Sequence, residues 1–179
     1  MKTLQTGSGR LFLVAATLRH VEAELEGSAS LAALLGAAVP PSWPPGEYDR
    51  DAQEYFRTRL AAASPADAGW FGWYAITESA PFTSPTLVAA AGFLGPPGED
   101  GTVEIGYSVV PEARGLGLAT EAVKALVAWA LRNGASRVIA HTTRSNGASV
   151  AVLRRCGLVE EGPGPDPGSV RFATRPPAG

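Results

Sequence analysis

The sequence predicts a mixed α/β fold, of the α+β kind, from three observations. Residues 103–110 form an apolar, strand-like run that ends in a turn carrying Gly115 and Gly117. A long amphipathic stretch follows, in which Leu118, Ala122, Val123, Leu126, Val127, Ala130 and Leu131 fall on one helical stripe. A second strand and helix pair then appears: residues 136–143 are apolar, and Asn146 and Gly157 bracket the helix behind them.

The remaining elements can be justified in chain order. Residues 1–10 are polar and glycine-containing, with no apolar core of a signal peptide. Residues 11–16 are a short apolar run and predict the first strand. Residues 18–25 have the acidic spacing of a helix with His20 at its start, and Ser30 is expected to cap a further turn through Leu35. Pro40, Pro41, Pro44 and Pro45 make residues 36–48 a loop. Residues 51–63 read as a helix with Tyr55, Phe56 and Leu60 on one side. Residues 69–77, with Trp70, Trp73, Tyr74 and Ile76, read as a strand. A turn at 81–85 leads to a strand at 87–94, closed by Gly95-Pro96-Pro97-Gly98. Gly134 stops the long helix. Residues 159–162 and 169–174 are expected as closing strands, and 175–179 as a frayed tail. There is no internal repeat or linker, so residues 1–179 are expected to form a single domain.

Composition narrows the function. Hydrophobic residues make up 45% and charged residues 18%, values of a globular chain with a substantial core. Fifteen Lys and Arg against seventeen Asp and Glu give a net charge of −2, so no basic footprint for nucleic acid is expected. No run reaches the length of a membrane span, and no membrane partner is expected. The lone cysteine cannot form an internal disulfide, which points to a reducing cytoplasm. His20, His141 and Cys156 are too scattered for a metal site.

The turn at 114–117 carries the chemistry. The opening N–H groups of a helix lack intrahelical partners, and the helix dipole adds positive potential there. An anion such as a phosphate is therefore favoured at this end. Gly115 and Gly117 let it approach the backbone, since neither has a Cβ. A dinucleotide fingerprint fails, because Thr120 stands where a third Gly or Ala is needed, and no P-loop Gly-Lys-Ser/Thr exists in the chain.

What remains is Arg114-x-x-Gly117-x-Ala119 behind a strand that ends in Val109-Val110-Pro111. This resembles motif A of the GCN5-related N-acetyltransferase (GNAT) family. Asn146-Gly-Ala-Ser149 through Gly157-Leu158 resembles the family's late helix. The Glu104-Ile105-Gly106-Tyr107 strand and the Asn146-x-x-Ser149 helix look most like the RimJ/RimL-type branch. The likeness is closest over residues 86–158. It implies a mixed, mostly antiparallel central sheet with helices on both faces. Two parallel strands, here 102–110 and 136–143, would splay apart to admit the pantetheine arm of acetyl-coenzyme A. The implied cosubstrate contacts are Val109, Val110, Arg114, Gly115, Leu116, Gly117, Leu118, Ala119, Thr120, Asn146 and Ser149. Amides near Val109 and Val110 would face the developing oxyanion.

The implied reaction is acetyl transfer to a primary amine, on a protein N-terminus or a small molecule, by direct attack in a ternary complex. Such an amine is mostly protonated at neutral pH and must lose a proton first. Glu104 stands where relatives place a base; an ion pair or a structural hydrogen bond is the alternative role for a carboxylate on a central strand. Many relatives place a tyrosine acid seven residues after the asparagine, but here that position is Leu153. Ser149, on the same helix, is the expected substitute, unless the thiolate leaves unaided. Trp43, Tyr48 and Trp70 are expected either to line the acceptor pocket or to plug the core. The missing tyrosine leaves a second possibility, a coenzyme A-binding regulatory domain without catalysis. Monomer and homodimer are both compatible with the sequence.

Overall fold

The computed structural model describes residues 2–175. The strands are β1 Thr3–Gln5, β2 Leu11–Ala15, β3 Gly72–Thr77, β4 Thr86–Phe93, β5 Thr102–Val109, β6 Arg137–Thr143, β7 Leu158–Pro163 and β8 Ser169–Thr174. The helices are α1 Leu18–Glu26, α2 Ser28–Leu35, α3 Arg50–Ala62, α4 Leu118–Arg132 and α5 Gly147–Arg155. The strands form one sheet in the order β1-β2-β3-β4-β5-β6-β8-β7. Every neighbouring pair is antiparallel except β5 and β6.

Strand alternation puts helices on both faces. Trp73 and Tyr74 are adjacent and point oppositely. The Trp73 ring packs edge-on against Trp129 of α4, with centroids 5.5 Å apart. The Tyr74 hydroxyl reaches Glu24 of α1 on the other side. On the α4 face, Trp129 also meets Trp70 at 4.7 Å and Phe93 at 5.9 Å. Such aromatic pairs contribute about 0.5–1.5 kcal/mol each beyond the area they bury.

Local rules account for most element boundaries. Thr17 caps α1 in a reciprocal arrangement with His20. Asp49 caps α3 by accepting from the Ala52 N–H at 3.0 Å. Asn146 caps α5, and Gly157 follows its end with φ +83°.

Four expectations need correction. The N-terminal segment supplies an edge strand, β1, paired to β2 with Leu4 opposite Leu13; three residues are too few to show a period. Ser30 does not open the second helix, which starts at Ser28 behind Gly27. Strand β3 starts at Gly72, because residues 69–71 are drawn into the turn before it, where the Trp70 N–H donates to Asp67. The last closing strands are longer than expected at the β7 end, running from Leu158 to Pro163. Of the tail expected at 175–179, residues 176–179 lie outside the described residues. No helix among the described residues is long and apolar enough to cross a membrane.

Candidate active site

The sheet opens at β5 and β6. Their parallel pairing holds Thr102 to Arg137, Val103 to Val138 and Glu104 to Ile139, and then stops. Both strands run on, β5 to Val109 and β6 to Thr143, so a gap separates them beyond Glu104. Backbone groups lining such a gap are available to a ligand.

One end of the gap meets the glycine turn. Gly115 and Gly117 have φ +76° and +79°, the left-handed region that favours glycine. Nothing lies within 4 Å of a Cβ built on Gly115. Gly117 is the N-cap of α4 and has no side chain to satisfy the helix's first N–H groups. Arg114, Gly115 and Gly117 are exposed, Leu116, Ala119 and Thr120 are half-buried, and the Leu118 side chain is anchored in the core. The turn is held from behind: Arg10 donates to the Leu116 carbonyl at 3.3 Å and pairs with Glu121. Arg114 Nε donates to the Val109 carbonyl at 3.2 Å. The arrangement fits a pyrophosphate: the first N–H groups of α4 have no side-chain cap, neither glycine carries a Cβ, and Arg114 supplies charge nearby, although its own N–H donates to the Pro111 carbonyl at 3.2 Å.

Val110 departs from the expectation. Its side chain is fully buried and its N–H donates to the Val88 carbonyl at 3.0 Å, so that amide is not free for an oxyanion.

At the mouth of the gap, Glu104 Oε1 lies 2.8 Å from His141 Nδ1 of β6. Both side chains are partly accessible, at 34% and 18%, so the pair can exchange protons with a bound amine or water. On the opposite face of β5, the Tyr107 hydroxyl lies 2.9 Å from Ser149 Oγ. Ser149 is fixed in turn by the Asn146 cap, whose Oδ1 accepts from the Ser149 N–H at 3.1 Å. Burial pushes the Tyr107 phenol up to about 12. Leu153 is buried in the core. Cys156 is half-buried against the Thr120 carbonyl, and burial pushes its thiol up to about 11.

A cavity of about 220 Å³ lies on the Glu104 face, between the sheet and α3. Its floor follows from the register. Gly72 pairs with Gly92, and Gly92 with Gly106, so three glycines stand side by side across β3, β4 and β5. Without side chains there, the sheet cannot fill the space under α3. Tyr48, Phe56, Tyr74, Ser108 and Glu47 wall the cavity. The proline-rich loop closes over it at Gly46, where a Cβ would come within 2.6 Å of Ser108 Oγ.

Of the three aromatics expected at the acceptor side, only Tyr48 lines this cavity. Trp43 is buried behind it and donates from Nε1 to Glu24 at 2.6 Å. Trp70 packs with Trp129 and Phe93 on the α4 side of the sheet. The sequence reading missed Glu24, Glu47, Tyr107 and the Glu104–His141 pairing. Tyr107 left a signal as a phenol on β5, and His141 as a histidine on the neighbouring predicted strand that could face the cleft; Glu24 and Glu47 depend on contacts distant in sequence.

Comparison with known proteins agrees with this geometry. Residues 10–159 match the model of the acetyltransferase (GNAT) domain family. The chain is 29% identical over 126 residues to the uncharacterized N-acetyltransferase YjdG of Bacillus subtilis, covering 70% of this chain and 71% of that protein. Its fold is shared by RimL, the ribosomal L7/L12 alpha-N-protein acetyltransferase solved in complex with coenzyme A (19% identity, TM-score 0.65, 96% and 97% of the two chains). A GNAT-family acetyltransferase from Bacillus anthracis shares it as well (19%, TM-score 0.61, 96% and 97%). So does the microcin C7 self-immunity acetyltransferase MccE, solved with acetyl-coenzyme A and AMP (15%, TM-score 0.61, 92% of each chain). The opened β5–β6 pair, the glycine turn before α4 and the family match together place this chain in the GNAT family of acetyltransferases.

Proposed function

We propose that this protein is a single-domain N-acetyltransferase that moves the acetyl group of acetyl-coenzyme A to a primary amine by direct attack in a ternary complex. The observation that carries the reading is the gap between β5 and β6, which has an uncapped glycine turn at one end and a cavity beside it. The coenzyme A ligands of RimL and MccE support the choice of cosubstrate.

The residues divide the work. Amides of Gly115 through Thr120 hold the pyrophosphate, with the Arg114 side chain beside them, since the Arg114 N–H is engaged by the Pro111 carbonyl at 3.2 Å, and Asn146 and Ser149 border the pantetheine side. The cosubstrate, when bound, supplies an acetyl group activated as a thioester. Glu104, hydrogen-bonded to His141, takes a proton from the incoming ammonium, directly or through water. Ser149 and Tyr107 present hydroxyls on the α5 side. A phenol near 12 is a weaker acid than an ordinary thiol near 8.5, so this pair stabilises a thiolate by hydrogen bonding more than it protonates one. Among the backbone donors, Val109 is preferred to Val110 for the oxyanion, since the Val110 N–H is engaged.

The acceptor is a small amine or a protein N-terminus, the latter being what RimL's description names for that enzyme. Thiol release from acetyl-coenzyme A with an amine panel tests the reading. Amine-dependent release is expected. Tight coenzyme A binding without release to any amine would instead make the protein a regulatory coenzyme A-binding domain, the outcome that Leu153 in place of a tyrosine acid would then explain.

A further inference from the structure

The cavity's polar end is built on a buried carboxylate. Glu24 of α1 is 8% exposed and has no cationic partner among the described residues. Its Oε1 accepts from Trp43 Nε1 at 2.6 Å and from Gln53 Nε2 at 3.0 Å. Its Oε2 accepts from the Tyr48 hydroxyl at 2.9 Å and the Tyr74 hydroxyl at 2.7 Å. Four elements therefore converge on one side chain: α1, the proline-rich loop, α3 and β3. All four partners are neutral donors, and the indole and the amide N–H can only donate. They saturate an ionised carboxylate and leave no acceptor for a carboxylic proton at Oε1. Burial of the carboxylate opposes the charge, and the four donors restore part of its stability.

Two of those donors, Tyr48 and Tyr74, line the cavity. Each phenol gives its hydrogen to Glu24 and keeps oxygen lone pairs that can accept from a ligand. The negative charge thus reaches the cavity through two hydroxyls. Among the described residues, Glu47 is the one charged side chain that lines the cavity, and no Lys or Arg does. Ser108 adds a neutral hydroxyl, and Phe56, Ala52, Ala90 and Leu94 supply apolar wall. At the rim, Tyr55 and Leu94 are 42% exposed and joined by a hydrogen bond. A volume of about 220 Å³ is below the roughly 300–1,000 Å³ of sites for drug-sized ligands.

We infer that the acceptor is a small primary amine on an apolar body without a carboxylate, and that Glu24 is its specificity determinant, recognising the ammonium through the hydroxyls of Tyr48 and Tyr74. This rests on the acetyltransferase reading above and narrows its acceptor. A free α-carboxylate would face only acidic and neutral groups in the cavity. A polyamine would place a second cation against Phe56 and the alanines. A ligand nitrogen on either phenol lies about 5–6 Å from Glu24 Oε2, adding one ordinary hydrogen-bond length to those observed. At an effective dielectric near 20, the charge then strengthens binding on the order of a hundredfold. Glu24 touches no reacting atom in this scheme; it positions the amine.

The test uses the full chain with acetyl-coenzyme A and four acceptors: 2-phenylethylamine, phenylalanine, spermidine and a short peptide with a free N-terminus. 2-Phenylethylamine is expected to give the highest kcat/KM by at least about tenfold. Glu24→Gln is expected to raise its KM on the order of a hundredfold, with kcat and acetyl-coenzyme A affinity near wild type. Inhibition by 2-phenylethanol, the neutral isostere, should stay unchanged, which separates lost charge from a distorted cavity. Equal weakening of amine and alcohol would overturn the proposal, as would equal or better use of phenylalanine, spermidine or the peptide. Should circular dichroism show Glu24→Gln unfolded, Tyr48→Phe replaces it with the same selective loss expected, and an unchanged amine KM overturns the proposal. Thiol release to spermidine or peptide alone refutes this inference and leaves the acetyltransferase reading standing; release to no amine at all refutes both.

Discussion

Replacing Gly106 with valine tests whether the acceptor sits on the glycine floor. Gly106 is the accessible end of the Gly72–Gly92–Gly106 row, and it is not in the left-handed region. A Cβ there meets nothing within 4 Å. The neighbouring glycine could not serve: at Gly92 the Cβ would lie 2.3 Å from the Phe71 carbonyl oxygen, at φ +146°. Valine suits a strand, so Gly106→Val should leave the melting temperature equal or slightly higher. Its three added carbons project into the cavity and displace as much of the acceptor's apolar body. At about 0.8 kcal/mol per buried methylene, the loss is about 2.4 kcal/mol, or roughly 60-fold in KM for the amine. Acetyl-coenzyme A affinity should hold within about twofold, because the turn proposed to grip its pyrophosphate is at Gly115 and Gly117, beyond the end of β5. Steady-state kinetics, calorimetry with coenzyme A and a thermal melt read the three quantities. An unchanged amine KM in a folded variant would show that the acceptor binds elsewhere.

Four further outcomes are expected. Glu104→Gln should lower turnover by roughly 10²–10⁴ while coenzyme A binding stays near normal; a pH–rate profile and turnover equal to wild type would make the Glu104–His141 pair structural. Gly117→Val should abolish measurable coenzyme A binding, by placing a Cβ where the pyrophosphate meets the amides and by straining φ +79° at a cost of about 1–2 kcal/mol; calorimetry on the folded variant showing wild-type affinity would refute the anion site. Cys156→Ala should keep most activity, since burial holds the thiol near 11 and unreactive; a ternary-complex kinetic pattern is expected, and a stoichiometric acetyl adduct on Cys156 that passes to amine would overturn direct transfer. His20 has its pKa lowered, first by burial and then by Arg19 beside it, so the unfolded chain binds its proton more readily. Its contribution to stability is full above about 6.5 and is lost as pH falls from there toward the lowered folded value. Thermal melts between pH 7.5 and 5 should therefore fall less steeply for His20→Gln than for wild type, and parallel curves would count against this.

Short-range chemistry made much of this protein legible in one dimension. The stripe from Leu118 to Leu131 and the glycine turn before it are local patterns, and both reappear as α4 and its N-terminus. Asn146 and Gly157 bracket α5 because a cap requires only residues three or four positions apart. The alternation that sets Glu104, Gly106 and Ser108 on one face of β5 is likewise a property of the strand alone. Contacts between distant segments were not legible. Glu24 looks like one acid of an ordinary amphipathic helix, and becomes a buried four-donor anion only when residues 43, 48, 53 and 74 fold onto it. Trp70 and Tyr48 are both aromatics near loops, yet the sheet separates them, since the turn before β3 directs Trp70 to α4. The cavity proposed for the acceptor arises from Gly72, Gly92 and Gly106, spread over 35 residues and meaningful only once strand register aligns them. Sequence by itself determined most of the elements and the glycine turn proposed for the cosubstrate, because helix caps, periods and glycine turns act over a few residues. Tertiary structure alone decided the cavity proposed for the acceptor, because a cavity and a buried charge are defined by groups that only the completed sheet and its helices bring together.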